Sequence, residues 1–282
     1  MSEEADLKTD VLGALQGNVA EAAYAIRAAL LKYSTVTRID LNDTEIGDEG
    51  AKAIAQAVKW NDVLTHLDLN NNIIGDEAQA VKWNDVLTHL DLNNNIIGDE
   101  GAKAIAQAVR FDRTITNLDL DNNKIGDEGA KAIAEMLKDN GPLTKLFLNN
   151  NQIGNEGAKA IAEALKENHA LTLLRLNNNL IRDEGAKAIA EALKVNHTLT
   201  RLQFGYGISS NIGRECNVLC KKNKAKKLEN AKLQMRQVHK IGGFDDDPRN
   251  TIDQLNYKAL AKALVSVVTS VENTNSSFAV GL

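Results

Sequence analysis

Aromatic side chains make up only 4% of this 282-residue chain, and proline and cysteine occur just twice each. Two cysteines, Cys216 and Cys220, cannot build the disulfide framework of a small secreted domain. So few prolines exclude collagen-like and proline-rich linker architectures. No apolar run approaches the roughly 18 residues that span a bilayer. The start, Met1-Ser2-Glu3-Glu4, has neither the basic opening nor the apolar stretch of a signal peptide. The expected compartment is therefore reducing and intracellular, with the cytoplasm as the default. Charge of one sign is also scarce: 33 Lys and Arg against 38 Asp and Glu leave a formal charge of −5, which does not point to nucleic acid. With 43% hydrophobic residues, the chain can bury a large core in one or two domains.

What is abundant is repetition, and repeats decide the fold when present. Val36, Leu64, Leu87, Ile115, Leu143, Leu171 and Leu199 each open a unit and are each followed by Thr. Within a unit the apolar residues stand first at positions 1, 4 and 6, as in Leu64, Leu67 and Leu69, where polar His66 and Asp68 alternate with them. That pattern predicts a short strand with one buried face. An Asn follows at the ninth position (Asn72, Asn95, Asn123, Asn151, Asn179), where its side chain can satisfy backbone groups in the bend after the strand. The period then changes to helical: Ala130, Ile133, Ala134 and Leu137 share one face, and Lys131, Glu135 and Lys138 the other. A strand, a turn and an amphipathic helix cannot bury two apolar surfaces alone. The units must stack, with strands in a parallel sheet, helices outside, and small Ala letting the helices approach closely.

The pattern Leu-Thr-x-Leu-x-Leu-x-x-Asn-x-Ile-Gly followed by Glu-Gly-Ala-Lys-Ala-Ile-Ala resembles the ribonuclease-inhibitor-type leucine-rich repeat over roughly residues 36–227. The resemblance implies an α/β fold, a right-handed solenoid or horseshoe with a parallel concave sheet, outer helices and helical caps, and protein binding on the concave face. By repeat type it is also similar to Ran GTPase-activating proteins and to NOD-like receptor repeat domains. That makes regulation of a small GTPase the alternative reading, although no catalytic residue carries over by motif. Ribonuclease inhibition is disfavoured, since those inhibitors are rich in cysteine.

The chain departs from its own pattern in three places. Thr44 replaces the expected Asn in the first unit, where its hydroxyl can still bond to backbone. Arg182 stands where the other units carry Gly47, Gly75, Gly98, Gly126 and Gly154; a left-handed backbone there would cost Arg about 1 kcal/mol, and the position is expected instead to tolerate a side chain. Residues 55–77 and 78–100 are identical, which shortens the helix of the second unit by about 1.4 turns. The identity reflects a recent duplication or an assembly error, and sequencing the transcript separates the two.

Residues 1–35 are expected to form an N-terminal cap with a helix over 18–33, and 36–227 the solenoid with seven strand units. Its closing helix runs from Ile212 to about Lys227 with Cys216, Leu219 and Cys220 inward. Residues 228–282 follow as a basic helix, the acidic linker Gly242–Pro248, an amphipathic helix over Thr251–Val271 and a disordered tail. Residues 221–240 hold eight Lys or Arg against Glu229 alone, which reads as a solvated helix end, or as nuclear import through 221–227 or contact with an anionic surface.

No catalytic constellation emerges, and the chain is read as no enzyme, needing no cofactor, metal or small-molecule substrate. The Gly-x-x-Gly-x-Lys at helix starts is not a P-loop. Asp48, Asp76, Asp99, Asp127 and Asp183 read as helix caps or first-turn acids. His66 and His89 would lie side by side with Asp68 and Asp91, a conceivable metal site that repeat-derived polar residues explain better. His169 and His197 lack a Ser or Cys nucleophile at a recognisable spacing, and the Cys216–Cys220 pair is incomplete as a metal site.

The third and fifth strand positions point to the concave face. The fifth gives an acidic ladder of Asp40, Asp68, Asp91 and Asp119. The second half places Phe147 and Leu173 among Lys145, Arg175, Arg201 and Gln203, with Tyr206 beyond. Exposed aromatic residues beside arginine are typical of an interface centre. The expectation is a monomeric, non-enzymatic scaffold or adaptor whose protein partner has a basic part and an acidic or apolar part. Trp60, Trp83 and Phe111, each four residues before a strand, form a second candidate edge or pack against helix ends.

Overall fold

The computed structural model describes residues 2–77, 85–205 and 207–241, with side chains described through residue 234. The chain divides into two compact parts, Met1–Cys220 and Lys221–Leu282. The first opens with helices α1 (Glu3–Ala14) and α2 (Val19–Lys32). It continues through β1 (Arg38–Asp40), α3 (Gly47–Val58), β2 (His66–Asp68), β3 (His89–Asp91), α4 (Asp99–Arg110), β4 (Asn117–Asp119) and α5 (Asp127–Asp139). Then come β5 (Lys145–Phe147), α6 (Asn155–Glu167), β6 (Leu173–Leu176), α7 (Asp183–Val195), β7 (Arg201–Phe204) and α8 (Ser210–Ile241). The strands form one parallel sheet in chain order, each paired with the next at the equivalent repeat position.

The apolar positions of the repeat are the core. Leu118, Leu120, Ile125, Ala130, Ile133, Ala134 and Leu137 are each at most 1% exposed. Burying a leucine or isoleucine fully is worth about 1.5–3 kcal/mol, so the seven-fold recurrence of the pattern accounts for the sheet without aromatic filling. Glycine inside the first helical turn sets the spacing of the helical layer. A Cβ on Gly157 would meet Ala130 Cβ, Asp127 Oδ1 and Ile153 Cγ2, all at 2.8 Å.

Two side-chain ladders tie repeat to repeat. The anticipated one is Asn123, whose Oδ1 accepts from Ile97 N at 3.0 Å while its Nδ2 donates to the Leu92, Leu120 and Asp121 carbonyls. Its acceptor and one donor bond thus reach into the preceding repeat. Thr44 does substitute in the first repeat, donating to Leu41 O at 2.6 Å. The second ladder was not read from the sequence. Asn140, Asn168 and Asn196 end the helices: Asn168 donates to Leu137 O of the preceding repeat at 2.7 Å and accepts from Leu171 N at 2.8 Å. Asp112 occupies this row one repeat earlier, and its Oδ2 is buried without a hydrogen-bond partner among the described residues.

The helix-start acids cap helices, but not their own. The N-cap positions of α4, α5 and α6 are Gly98, Gly126 and Gly154, which offer no side-chain bond. The carboxylate comes from the repeat before: Asp99 Oδ1 accepts from Gly126 N and Gly129 N, and Asp127 Oδ1 from Gly154 N and Gly157 N. For α7 the acceptor is Asn155, which bonds Arg182 N and Gly185 N. Arg182 sits at φ −114°, ψ −173°, an extended backbone that any residue adopts, so the position does tolerate a side chain.

The leading cap contains more than the expected helix. The expected helix over 18–33 is α2, capped by Asn18, whose Oδ1 accepts from Ala20 N and Glu21 N, but α1 precedes it and buries Leu7 and Val11. At the other end Ile212, Cys216 and Cys220 are buried and Leu219 half-buried. Burial pushes the Cys216 and Cys220 thiols up to about 11 and about 12, so both stay protonated, as inert buried thiols should. Helix α8 continues past the expected end near Lys227 to Ile241. The short second-repeat helix, Trp83, Tyr206, the linker 242–248, the helix over 251–271 and the tail lie outside the described residues.

Candidate functional site

The parallel register aligns two rows of side chains on the strand face. Arg38, His66, His89, Asn117, Lys145, Leu173 and Arg201 form the first, and Asp40, Asp68, Asp91, Asp119, Phe147, Arg175 and Gln203 the second. Between them opens a concave pocket of about 160 Å³, with Asp68, Asp91 and Asp119 along one side, Phe147 at the end, and Arg38, His66 and His89 opposite.

The acids have a structural duty that the sequence reading missed. Asp40, Asp68, Asp91 and Asp119 each use Oδ1 to accept from the backbone N–H two residues on, at 2.9–3.1 Å, closing the turn after the strand. Phe147 and Arg175 cannot do this. There Asp121 Oδ1 accepts from Asn149 N at 2.6 Å, and Asn149 Oδ1 from Asn177 N at 2.8 Å, each reaching across from the preceding repeat. The change from acid to aromatic and arginine is therefore accommodated by a relay of neighbouring turns.

Two expected site residues are not free. Asp40 is met by Lys8 of α1, Nζ to Oδ1 at 3.8 Å, which takes the first rung out of the acidic ladder. Leu173 was expected as an exposed apolar anchor and is only 8% exposed. In the sheet register it stands between Lys145 and Arg201, and it is buried at that position. Phe147 and Arg175 come together as one element, with the guanidinium carbon 4.5 Å from the ring centroid. Arg175 Nε is buried and has no hydrogen-bond partner among the described residues. Gln203 accepts weakly from Asn177 Nδ2 at 3.4 Å, Lys145 is exposed and Arg201 half-buried. Tyr206 lies outside the described residues.

His66 and His89 stack, ring centroids 4.0 Å apart and 15° from parallel, and each Nδ1 bonds the preceding threonine hydroxyl, Thr65 or Thr88, at 2.8 Å. Among the described residues no cluster of three or more His, Cys, Asp or Glu could hold a metal ion. Burial lowers both histidine pKa values, and His66 and nearby cations lower His89 further, so neutral rings face the acids. Burial raises Asp91 and Asp121 above the usual carboxylate range. Asp119 is pushed up to about 7, by burial first and then by the Asp121 and Asp91 carboxylates.

The raised Asp119 has a measurable consequence. A carboxyl that holds its proton more tightly folded than unfolded weakens the fold fully above about pH 7, and the penalty fades as pH falls toward about 4. Asp119→Asn keeps the acceptor for Asp121 N and removes the charge. It is expected to melt above the wild type at about pH 8, with the difference closing by about pH 5. The histidines titrate in the opposite sense in both proteins and cancel in the comparison. A difference that does not vary with pH would show Asp119 to be an ordinary exposed acid.

The family model described as the TMOD/LMOD leucine-rich domain matches residues 77–224, and a leucine-rich-repeat model matches 34–55 and 61–78. Among solved structures, the actin-binding site 2 of leiomodin-1 is 30% identical, with a TM-score of 0.47, covering 49% of this chain and 81% of that one. The tropomodulin C-terminal domain of Caenorhabditis elegans is 14% identical, TM-score 0.43, with 50% and 82% covered. An internalin of Listeria monocytogenes is 20% identical, TM-score 0.31, with 62% and 63% covered. No curated protein matches the chain. The alternative reading as a small-GTPase regulator finds no support in these matches. A leucine-rich-repeat sheet tied by asparagine ladders, matched over more than half its length by one family model, places this chain in the tropomodulin/leiomodin leucine-rich-domain family.

Proposed function

We propose that the chain is a non-enzymatic scaffold that holds a protein partner on its strand face. The observation that carries this reading is the pocket walled by Asp68, Asp91 and Asp119 and closed by Phe147, whose ring carries Arg175. A basic side chain of the partner would enter among carboxylates that burial has left short of counter-charge, and an apolar or acidic part would lie on Phe147 and Arg175. Such charge complementarity sets register and association rate more than affinity, while the aromatic centre carries affinity. No helix among the described residues is long and apolar enough to cross a membrane. A cytoplasmic site of action accords with this reading.

The matched leiomodin-1 domain is described as an actin-binding site, which makes actin the first probe. Fluorescent actin monomers are titrated with the full chain, with Asp91→Lys/Asp119→Lys, and with Phe147→Ala/Arg175→Glu, each checked by circular dichroism. The expected result is wild-type binding that each double variant weakens about tenfold to a hundredfold. Undiminished binding by both variants would move the site off this face. Absence of binding by the wild type would remove actin as the partner.

A further inference from the structure

The last turns of the helices differ between the two halves of the solenoid. In α5, α6 and α7 a glutamate stands three residues before a lysine, and the pairs Glu135–Lys138, Glu163–Lys166 and Glu191–Lys194 close at 2.5–2.6 Å. In α3 and α4 the glutamate is replaced by Gln56 and Gln107, so Lys59 and Arg110 lose the anion on their own helix. The same two repeats place an aromatic residue directly after the cation, Trp60 and Phe111, where later repeats have Asp139, Glu167 and Val195. Amide and aromatic thus change together.

Trp60 is 64% exposed and Phe111 65%, so neither serves the core. At the Trp60 position α2 contributes a second cation and a second aromatic. Arg27 Cζ lies 5.8 Å and Lys59 Nζ 5.2 Å from the Trp60 ring centroid, and Tyr24 is 78% exposed beside them. Together with Gln56 they line a groove of about 300 Å³ between α2 and α3. Neither Arg27 nor Lys59 has an ion pair among the described residues, whereas Arg110 is neutralised by Asp139 at 2.5 Å. An exposed indole and phenol flanked by two uncompensated cations offer apolar area together with a fork for a carboxylate, the residue types that dominate interface energies.

We propose that the groove between α2 and α3 binds an acidic segment of a partner protein, its carboxylates on Arg27 and Lys59 and an apolar side chain on Trp60 and Tyr24. This surface belongs to the helical layer and does not depend on the strand-face reading.

The chain has two tryptophans, Trp60 and Trp83, so a Trp83→Phe background makes emission report the groove alone. The full chain in that background is titrated with a short glutamate-rich peptide carrying two leucines, with its lysine-for-glutamate twin, and with phosphatidylserine vesicles. The acidic peptide is expected to shift emission to shorter wavelength, with affinity falling about tenfold in Arg27→Glu/Lys59→Glu and declining with salt. Gln56→Glu is a second variant that keeps both cations and both aromatic residues of the groove while giving Lys59 an intrahelical partner, and it is expected to weaken binding about threefold or more. The proposal is overturned by no shift with the acidic peptide, by an equal shift with the lysine twin, by affinity unchanged in both variants, or by a response to vesicles alone. Actin binding measured in parallel stays intact in these variants, which separates this surface from the strand face.

Discussion

Replacing Asn123 by alanine is expected to lower unfolding stability by roughly 2–4 kcal/mol, a large loss for a single substitution. Asn123 is 7% exposed and satisfies four backbone groups: the Ile97 N–H and the Leu92, Leu120 and Asp121 carbonyls, all at 3.0–3.2 Å. Alanine leaves the Ile97 N–H buried without a partner, at about 1–3 kcal/mol, while the Leu92, Leu120 and Asp121 carbonyls each lose one bond but keep those from Asn95 Nδ2, Asn151 Nδ2 and Asn94 N. Because two of the four belong to the preceding repeat, the loss falls on the junction between repeats. Repeat proteins draw much of their stability from such nearest-neighbour contacts. Urea unfolding followed by circular dichroism should therefore show a lower midpoint and a transition that broadens or separates into two. A loss under about 1 kcal/mol would mean that water replaces the side chain and that the ladder is ornamental.

Asp127→Ala is expected to cost about 2 kcal/mol, and Asp127→Asn about 0.5 kcal/mol. One carboxylate oxygen accepts from Gly154 N at 2.7 Å and Gly157 N at 2.8 Å at the start of α6, where the helix dipole favours a negative charge. The glycine N-cap has no side chain to take over. Asparagine already performs this task at Asn155, with both bonds at 3.0 Å, so the amide keeps the geometry and gives up only the charge. Thermal melts of the two variants in low and high salt test the assignment. Equal losses for alanine and asparagine would show that charge, not the acceptor, matters. Equal stability of all three would refute capping between repeats.

Both predictions concern contacts that link one repeat to the next, and this is where sequence reading stopped short. The identity of the ladder residues Asn72 to Asn179 was legible because a polar residue recurring between apolar ones must have backbone to satisfy. Its reach into the preceding repeat was not legible, since the spacing within one unit is silent about neighbours 26–31 residues away. The Asp127 class shows the same gap: a first-turn acid looks like a cap for its own helix, yet stacking brings the next helix start closer. The second ladder, Asn140 to Asn196, went unread because a single Asn before a strand looks like ordinary turn chemistry. At the candidate site the two rows followed from period-two alternation alone. The Lys8–Asp40 pair did not, because α1 carries no repeat signal. The burial of Leu173 was not legible either, since period-two alternation puts it on the same row as exposed Lys145.

By itself, the amino-acid order determined the strands, the turns and the described helices of the repeats, the residues facing the core, the parallel stacking and the two rows of the strand face. Those follow from local periodicity, which each unit states again. Only the tertiary structure decided which carboxylates cap which helices, that Asp119 is buried enough to hold a proton near neutrality, that Arg175 lies on Phe147, and that Trp60 stands between Arg27 and Lys59. Each of these depends on the distance between groups far apart in sequence, and that distance is set by how the repeats pack.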